Sequence, residues 1–161
     1  MYRRKGEEIC GVLNDFDLAT IKGDPSPSSK QRTGTKPYMA IQLLDDEGVT
    51  HGYRHDLESL FYVILIVTSR FEDGEEIANP PLQAWFTVDS KTLATFKSHL
   101  FLNFKLPTLT ASYTGFIRWL KPICAAFARQ NLQLAYSSPQ SEEYVTFDAI
   151  AKILENDVTI P

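Results

Sequence analysis

Three things are scarce in this 161-residue chain, and each scarcity removes a class of function. Cysteine occurs only at Cys10 and Cys124, both in apolar surroundings and without Cys-x-x-Cys spacing, so a disulfide framework is not expected. Basic runs are short. The densest, Tyr2-Arg3-Arg4-Lys5, lies beside Glu7 and Glu8 and reads as a solvated hairpin end. With a net charge of -4, this argues against a nucleic-acid binder. Apolar runs are also short. The longest, Leu60 to Val67, falls far below the roughly 20 residues of a membrane-spanning helix. The opening MYRRKGEEI carries no apolar core of a signal peptide. These features lead us to expect a soluble, intracellular protein, cytoplasmic or nuclear, that engages neither nucleic acid nor membrane.

What remains is a foldable sequence. Hydrophobic residues make up 43% and charged residues 22%, and the length suffices for one domain with a real core. Met1–Arg4 and Glu8–Asn14 read as two strands about a Lys5-Gly6 turn. Ile21–Gly34, IKGDPSPSSKQRTG, is a long polar loop. Pro37 opens a short helical patch, PYMAIQLL. DLESLFYVILIVTS, from Asp56, has Leu57, Leu60, Phe61, Ile64 and Leu65 at helical spacing, while Val63, Ile66 and Val67 fill the other faces. No charge falls between Glu58 and Arg70, so a helix buried all round is predicted.

Beyond it, Phe71–Pro81 reads as a loop and LQAWF as a short helix. Asp89-Ser90 caps a helix whose inner face is Leu93, Phe96, Leu100 and Phe101. Ser112 to about Ala135 is helical, with Pro122 expected to kink or break it. Thr146 caps a last helix with Phe147, Ile150, Ile153 and Leu154 inward. The expected fold is mainly α with a small N-terminal β-hairpin. No repeat and no interdomain linker is visible.

The chemistry-bearing candidates begin with GVLNDFDLAT, Gly11 to Thr20. Asp15, at a strand end before an aromatic and a polar loop, is placed to hold Mg²⁺, a hard cation that binds oxygen. Taken alone, the tetrapeptide Asn14–Asp17 reads instead as a strand end with a turn or cap aspartate. His51 and His55 stand at i, i+4 with Asp56 following, but no third convergent ligand is visible and a metal site there is not expected.

Two further segments, GTKPYMA (Gly34–Ala40) and HDLESLFYV (His55–Val63), follow in order. Together with Asp-Phe-Asp-Leu-Ala they resemble the fungal-type protein kinase family. That family pairs Asp-aromatic-Asp-Leu-Ala with Gly-Thr-x-Pro-Phe/Tyr-Met-Ala and His-Asp-Leu-Glu-Ser-Phe/Leu-Phe-Tyr-Val. The resemblance implies that residues 1–161 form a single partial protein-kinase domain, C-lobe-like and without an N-lobe. It covers most of the chain, with weaker detail after Phe86.

The resemblance further implies that Asp15 is the magnesium-binding acid tied to the nucleotide phosphates and Phe16 the aromatic packed under it. Asp17 stands where most kinases have glycine. Ile21–Thr33 would be the activation segment, with Ser26, Ser28, Ser29 and Thr33 as candidate phosphosites and Arg32 near them. Thr35 would belong to the strip that contacts the protein substrate. Asp56 would open the central helix in a structural role. Gln42 replaces the glutamate that many kinases use in an anchoring ion pair.

The implied family activity is phosphoryl transfer from ATP, with Mg²⁺, to protein serine or threonine. A Gly-rich loop, a strand lysine and a His-Arg-Asp loop are absent from these 161 residues; Tyr53-Arg54-His55 is not one. We therefore expect Met1 to be an internal methionine of a longer kinase or the start of a degenerate copy. The chain alone is expected to bind no ATP or Mg²⁺, to be inactive, to expose apolar surface on its central helix, and to depend on a partner polypeptide. The alternative is a non-catalytic helical interaction module derived from a kinase lobe.

Overall fold

The computed structural model describes residues 2–6, 8–11, 34–46, 48–136 and 145–155. Asp15, Phe16, Asp17, the candidate phosphosites up to Thr33, and the Ser137–Glu143 turn lie outside them. The chain divides into two compact units, Met1–Thr33 and Gly34–Pro161. Among the described residues it is mainly helical with a small antiparallel hairpin, the fold class expected.

In the first unit, β1 (Tyr2–Lys5) pairs antiparallel with β2 (Glu8–Gly11), with Tyr2 opposite Gly11 and Lys5 opposite Glu8. Gly6 turns the chain at φ 67°, a conformation that costs glycine little.

In the second unit, a 3₁₀ turn (Lys36–Tyr38) precedes α1 (Ile41–Asp45) and the long α2 (Tyr53–Arg70). The helix α2 starts three residues before Asp56. Gly52 N–H donates to His55 Nδ1 (3.0 Å) and His55 N–H donates to the Gly52 carbonyl (2.9 Å), a reciprocal cap that fixes the start. One side of α2 enters the core through Phe61, Tyr62, Leu65 and Ile66. The other side corrects the expectation of burial all round: Leu60, Val63 and Val67 are 47%, 40% and 40% exposed.

Phe71–Pro81 also departs from the expected loop. β3 (Phe71–Glu72) and β4 (Glu75–Glu76) form a hairpin across Asp73-Gly74, both at positive φ, the backbone of a two-residue Asp-Gly turn. Buried Arg70 ties this hairpin to the next segment. It donates to Glu76 Oε1, the Pro81 carbonyl and Gln83 Oε1, and its guanidinium lies 4.4 Å from the Phe86 ring centre.

A 3₁₀ turn (Gln83–Phe86) leads to α3 (Ser90–Asn103), capped as expected by Asp89, whose Oδ1 accepts from Thr92 N–H at 3.0 Å. The inner face of α3 differs from expectation. Phe96 is exposed, and Lys97 is fully buried beside Leu93, Leu100 and Phe101.

A 3₁₀ segment (Ala111–Phe116) runs into α4 (Ile117–Tyr136). Leu120, Ile123, Cys124 and Phe127 are buried, and burial pushes the Cys124 thiol up to about 11. α4 is continuous through Pro122 rather than broken there. Pro122 supplies no N–H to the helical ladder, and its ring crowds the turn before it. Since Pro122 is exposed, Pro122→Ala is expected to raise folding stability by about 1–3 kcal/mol, read as a higher urea midpoint at unchanged m-value.

In α5 (Phe147–Glu155), Thr146 Oγ1 accepts from Ala149 N–H as predicted. Ile150 is buried, but Phe147 is 69% exposed because it occupies the first helical position, ahead of the packed turn. Val145 docks the segment: its N–H donates to Gln130 Oε1 in the buried interior.

Candidate functional site

The segment Gly34–Ala40 takes a form its residues dictate. Thr35 is extended and exposed, and its carbonyl accepts from Tyr38 N–H at 2.9 Å. Pro37, with φ already near the value a helical turn needs, sits at the start of the 3₁₀ turn and is buried. Met39 and Ala40 return to extended backbone before α1 begins. Gly34 lets Met39 fold back across it: a Cβ on Gly34 would stand 2.9 Å from Met39 Cγ. The result is a short strip with Pro37 and Ala40 facing inward and Thr35 and Lys36 facing solvent.

Beneath the strip lies a buried polar cluster. Glu58, on α2, accepts at Oε1 from Ile41 N–H (2.9 Å) and Tyr62 Oη–H (2.6 Å). Lys97, on α3, donates from Nζ to the Met39 carbonyl. Its ammonium lies 3.8 Å from the Tyr62 ring centre and 5.2 Å from that of Trp85. Burial pushes Lys97 down to about 7, opposed by the nearby Glu58 carboxylate. Burial raises the Glu58 carboxyl, against the hydrogen bonds from Tyr62 and Ile41 and the charges of Lys97 and Arg54.

At the start of α1, Gln42 occupies the position where the resemblance leads one to look for an acid. Its Oε1 accepts from Arg54 (2.7 Å) and lies 3.1 Å from His55 Nε2. His55 Nδ1 accepts from Gly52 N–H, while His55 Nε2 lies between Gln42 Oε1 at 3.1 Å and Arg54 Nε at 3.3 Å. A cavity of about 10 Å³ lies against Gln42, Arg54, His55 and Glu58, room for about one water and far too small for a nucleotide.

The sequence candidates fall as follows. Asp15, Phe16 and Thr33 lie outside the described residues, so the magnesium assignment rests on the sequence resemblance. Thr35 sits on the exposed side of the strip. Asp56 lies in the first turn of α2, where its charge suits the helix dipole, and it bonds exposed His51 Nε2 at 2.9 Å. The His51 and His55 rings stack at 5.8 Å. Among the described residues no group of three or more His, Cys, Asp and Glu is placed to hold a metal ion. No described helix is long and apolar enough to cross a membrane.

Glu58, Tyr62 and Lys97 were not singled out by the sequence reading. Their signal was available in part: Lys97 is four residues from both Leu93 and Phe101, so a charge stands on the inner face of an amphipathic helix.

No curated protein and no solved structure matches the chain. Residues 2–68, which take in the hairpin, the strip and α2 as far as Thr68, match the family model of the fungal protein kinase, the family whose motifs the sequence resembles.

Proposed function

We propose that residues 1–161 are a partial protein-kinase domain that supplies the magnesium-binding segment, activation segment and substrate-facing strip for phosphoryl transfer from ATP to protein serine or threonine. The observation that carries this reading is the coincidence of the family match over residues 2–68 with an exposed, anchored strip at Gly34–Ala40. Phosphoryl transfer depends on positioning and on charge stabilisation by several groups acting together. In this reading Asp15 holds the metal that bridges the phosphates. Thr35 and its neighbours offer backbone and hydroxyl groups to the acceptor peptide. The 161 residues contain no Gly-rich loop, strand lysine or His-Arg-Asp, so the chain by itself transfers no phosphate. A second reading, a non-catalytic interaction module, draws support from the exposed Leu60, Val63 and Val67 stripe.

One experiment separates them. Purified 1–161 is assayed for magnesium-dependent phosphorylation of a mixed Ser/Thr peptide library. The assay is run alone and with a polypeptide that supplies the Gly-rich loop, lysine strand and His-Arg-Asp loop of a fungal protein kinase. We expect no turnover alone and turnover in the mixture that falls at least about 100-fold with Asp15→Ala. Turnover by the chain alone that ignores Asp15→Ala overturns the reading. A mixture that forms a complex without activity supports the interaction module.

A further inference from the structure

The strip is held at two successive points of its backbone by side chains from two different helices. Glu58, from α2, receives the Ile41 N–H, and Lys97, from α3, holds the Met39 carbonyl. Both side chains are buried, Lys97 completely. Lys97 is walled by the Tyr62 and Trp85 rings, and the Tyr62 hydroxyl closes the circuit onto Glu58. Gln42, by contrast, is neutral, and its carbonyl takes hydrogen bonds from Arg54 rather than an ion pair.

We propose that Glu58 and Lys97 are the positioning residues of the Gly34–Ile41 strip, clamping its backbone from α2 and α3 and so fulfilling the anchoring role that a carboxylate at position 42 would otherwise have. The proposal deepens the kinase reading, on which its functional meaning rests. Both bonds are made by buried side chains, and losing either leaves a backbone group of the strip unsatisfied. Pro37 and Ala40 are buried and Tyr38, Met39 and Ile41 pack half-buried against the core, which holds the strip's side chains in place. Apolar contact is non-directional, so the two bonds are what fix the orientation of the strip's backbone. The Gln42–Arg54 hydrogen bond lies beyond the strip, joining the start of α1 to the first turn of α2, and does not reach Met39.

Amide hydrogen exchange on the full 161-residue chain tests this without any substrate. The reporters are the amides of Tyr38, Met39, Ile41 and Leu44, each bonded within or beneath the strip. The reference is the set of core amides in α2 and α4. Lys97→Met and Glu58→Met are expected to speed reporter exchange at least about tenfold more than reference exchange. Glu58→Gln keeps an acceptor for Ile41 and is expected to return Ile41 to within about threefold of the parent. Gln42→Ala is expected to leave the strip reporters within about threefold.

Equal acceleration of reporters and references in both Met variants overturns the proposal. So does a release by Gln42→Ala as large as that by Lys97→Met, or failure of Glu58→Gln to rescue Ile41. Should a Met variant not fold, the Glu58→Gln and Gln42→Ala comparison still decides. Because exchange is read without nucleotide or peptide, the clamp can fail while the kinase reading stands, and the reverse.

Discussion

Phe61→Ala is expected to remove about 3–5 kcal/mol of folding stability, a large share of the roughly 5–15 kcal/mol that holds a domain folded. Phe61 is almost completely buried where α2 meets α3 and α4. Its ring lies 5.6 Å from those of Tyr62 and Phe101 and 5.8 Å from that of Phe127. Phe101 and Phe127 stack on each other at 5.6 Å, so the cluster joins three helices through one set of ring contacts. Truncation leaves a cavity that rigid helix backbones fill poorly. Urea unfolding followed by circular dichroism measures the loss, with Phe96→Ala, on the exposed face of α3, as the comparison. A loss below about 1.5 kcal/mol for Phe61→Ala, or an equal loss for both, would remove the aromatic cluster from its central place in the fold.

The second large effect is on pH dependence. Lys97 ionises at about 7 in the folded chain against an ordinary value of 10.5. Between those values the unfolded chain carries a proton that the folded chain lacks, so stability rises with pH across that window and flattens below about 7. Other groups bound the useful range. Burial holds Cys124 at about 11 against its ordinary 9.0. Burial and the Glu58 carboxylate hold Tyr62 well above its ordinary 10.0. Both oppose the rise at higher pH, because there the unfolded chain loses protons first. Glu58, raised by its burial, also opposes it, in a window that begins at its ordinary 4.5. From pH 7 to 9 the Lys97 contribution is on the order of 2 kcal/mol at one proton per site. Lys97→Met should abolish that rise and leave the opposing effects of Cys124 and Tyr62 uncompensated above pH 9. A parent protein with flat stability from pH 7 to 9, or a variant with an unchanged rise, would refute the assignment.

How much of this was legible in the sequence follows from what each pattern encodes. The hairpin over Tyr2–Gly11 and the caps at Asp89 and Thr146 were legible because turn and cap chemistry is local. The existence of α2 was legible too. Its orientation was not: a helix with apolar residues on every face gives no polar stripe to say which side turns inward. Leu60 and Phe61 looked alike and ended on opposite sides. The β3–β4 hairpin was readable in Asp73-Gly74 but lacked the flanking apolar alternation that normally announces strands. The clamp was the least legible. Two of its bonds end on backbone atoms, which carry no sequence signature, and its partners lie 17 and 58 residues apart. The Asp15, Phe16 and Thr33 assignments remain a reading of motif and order.

The buried thiol on α4 makes the chain its own stopwatch. A sulfur held protonated and enclosed at Cys124 reacts with an alkylating reagent only when the helix packing opens around it. With Cys10 replaced by serine, the modification rate of that single sulfur, divided by the rate for an unstructured peptide, gives the fraction of time the core is open. Mass spectrometry reads it from nanograms, in crude extract and in the presence of any binding polypeptide, where optical melting curves fail.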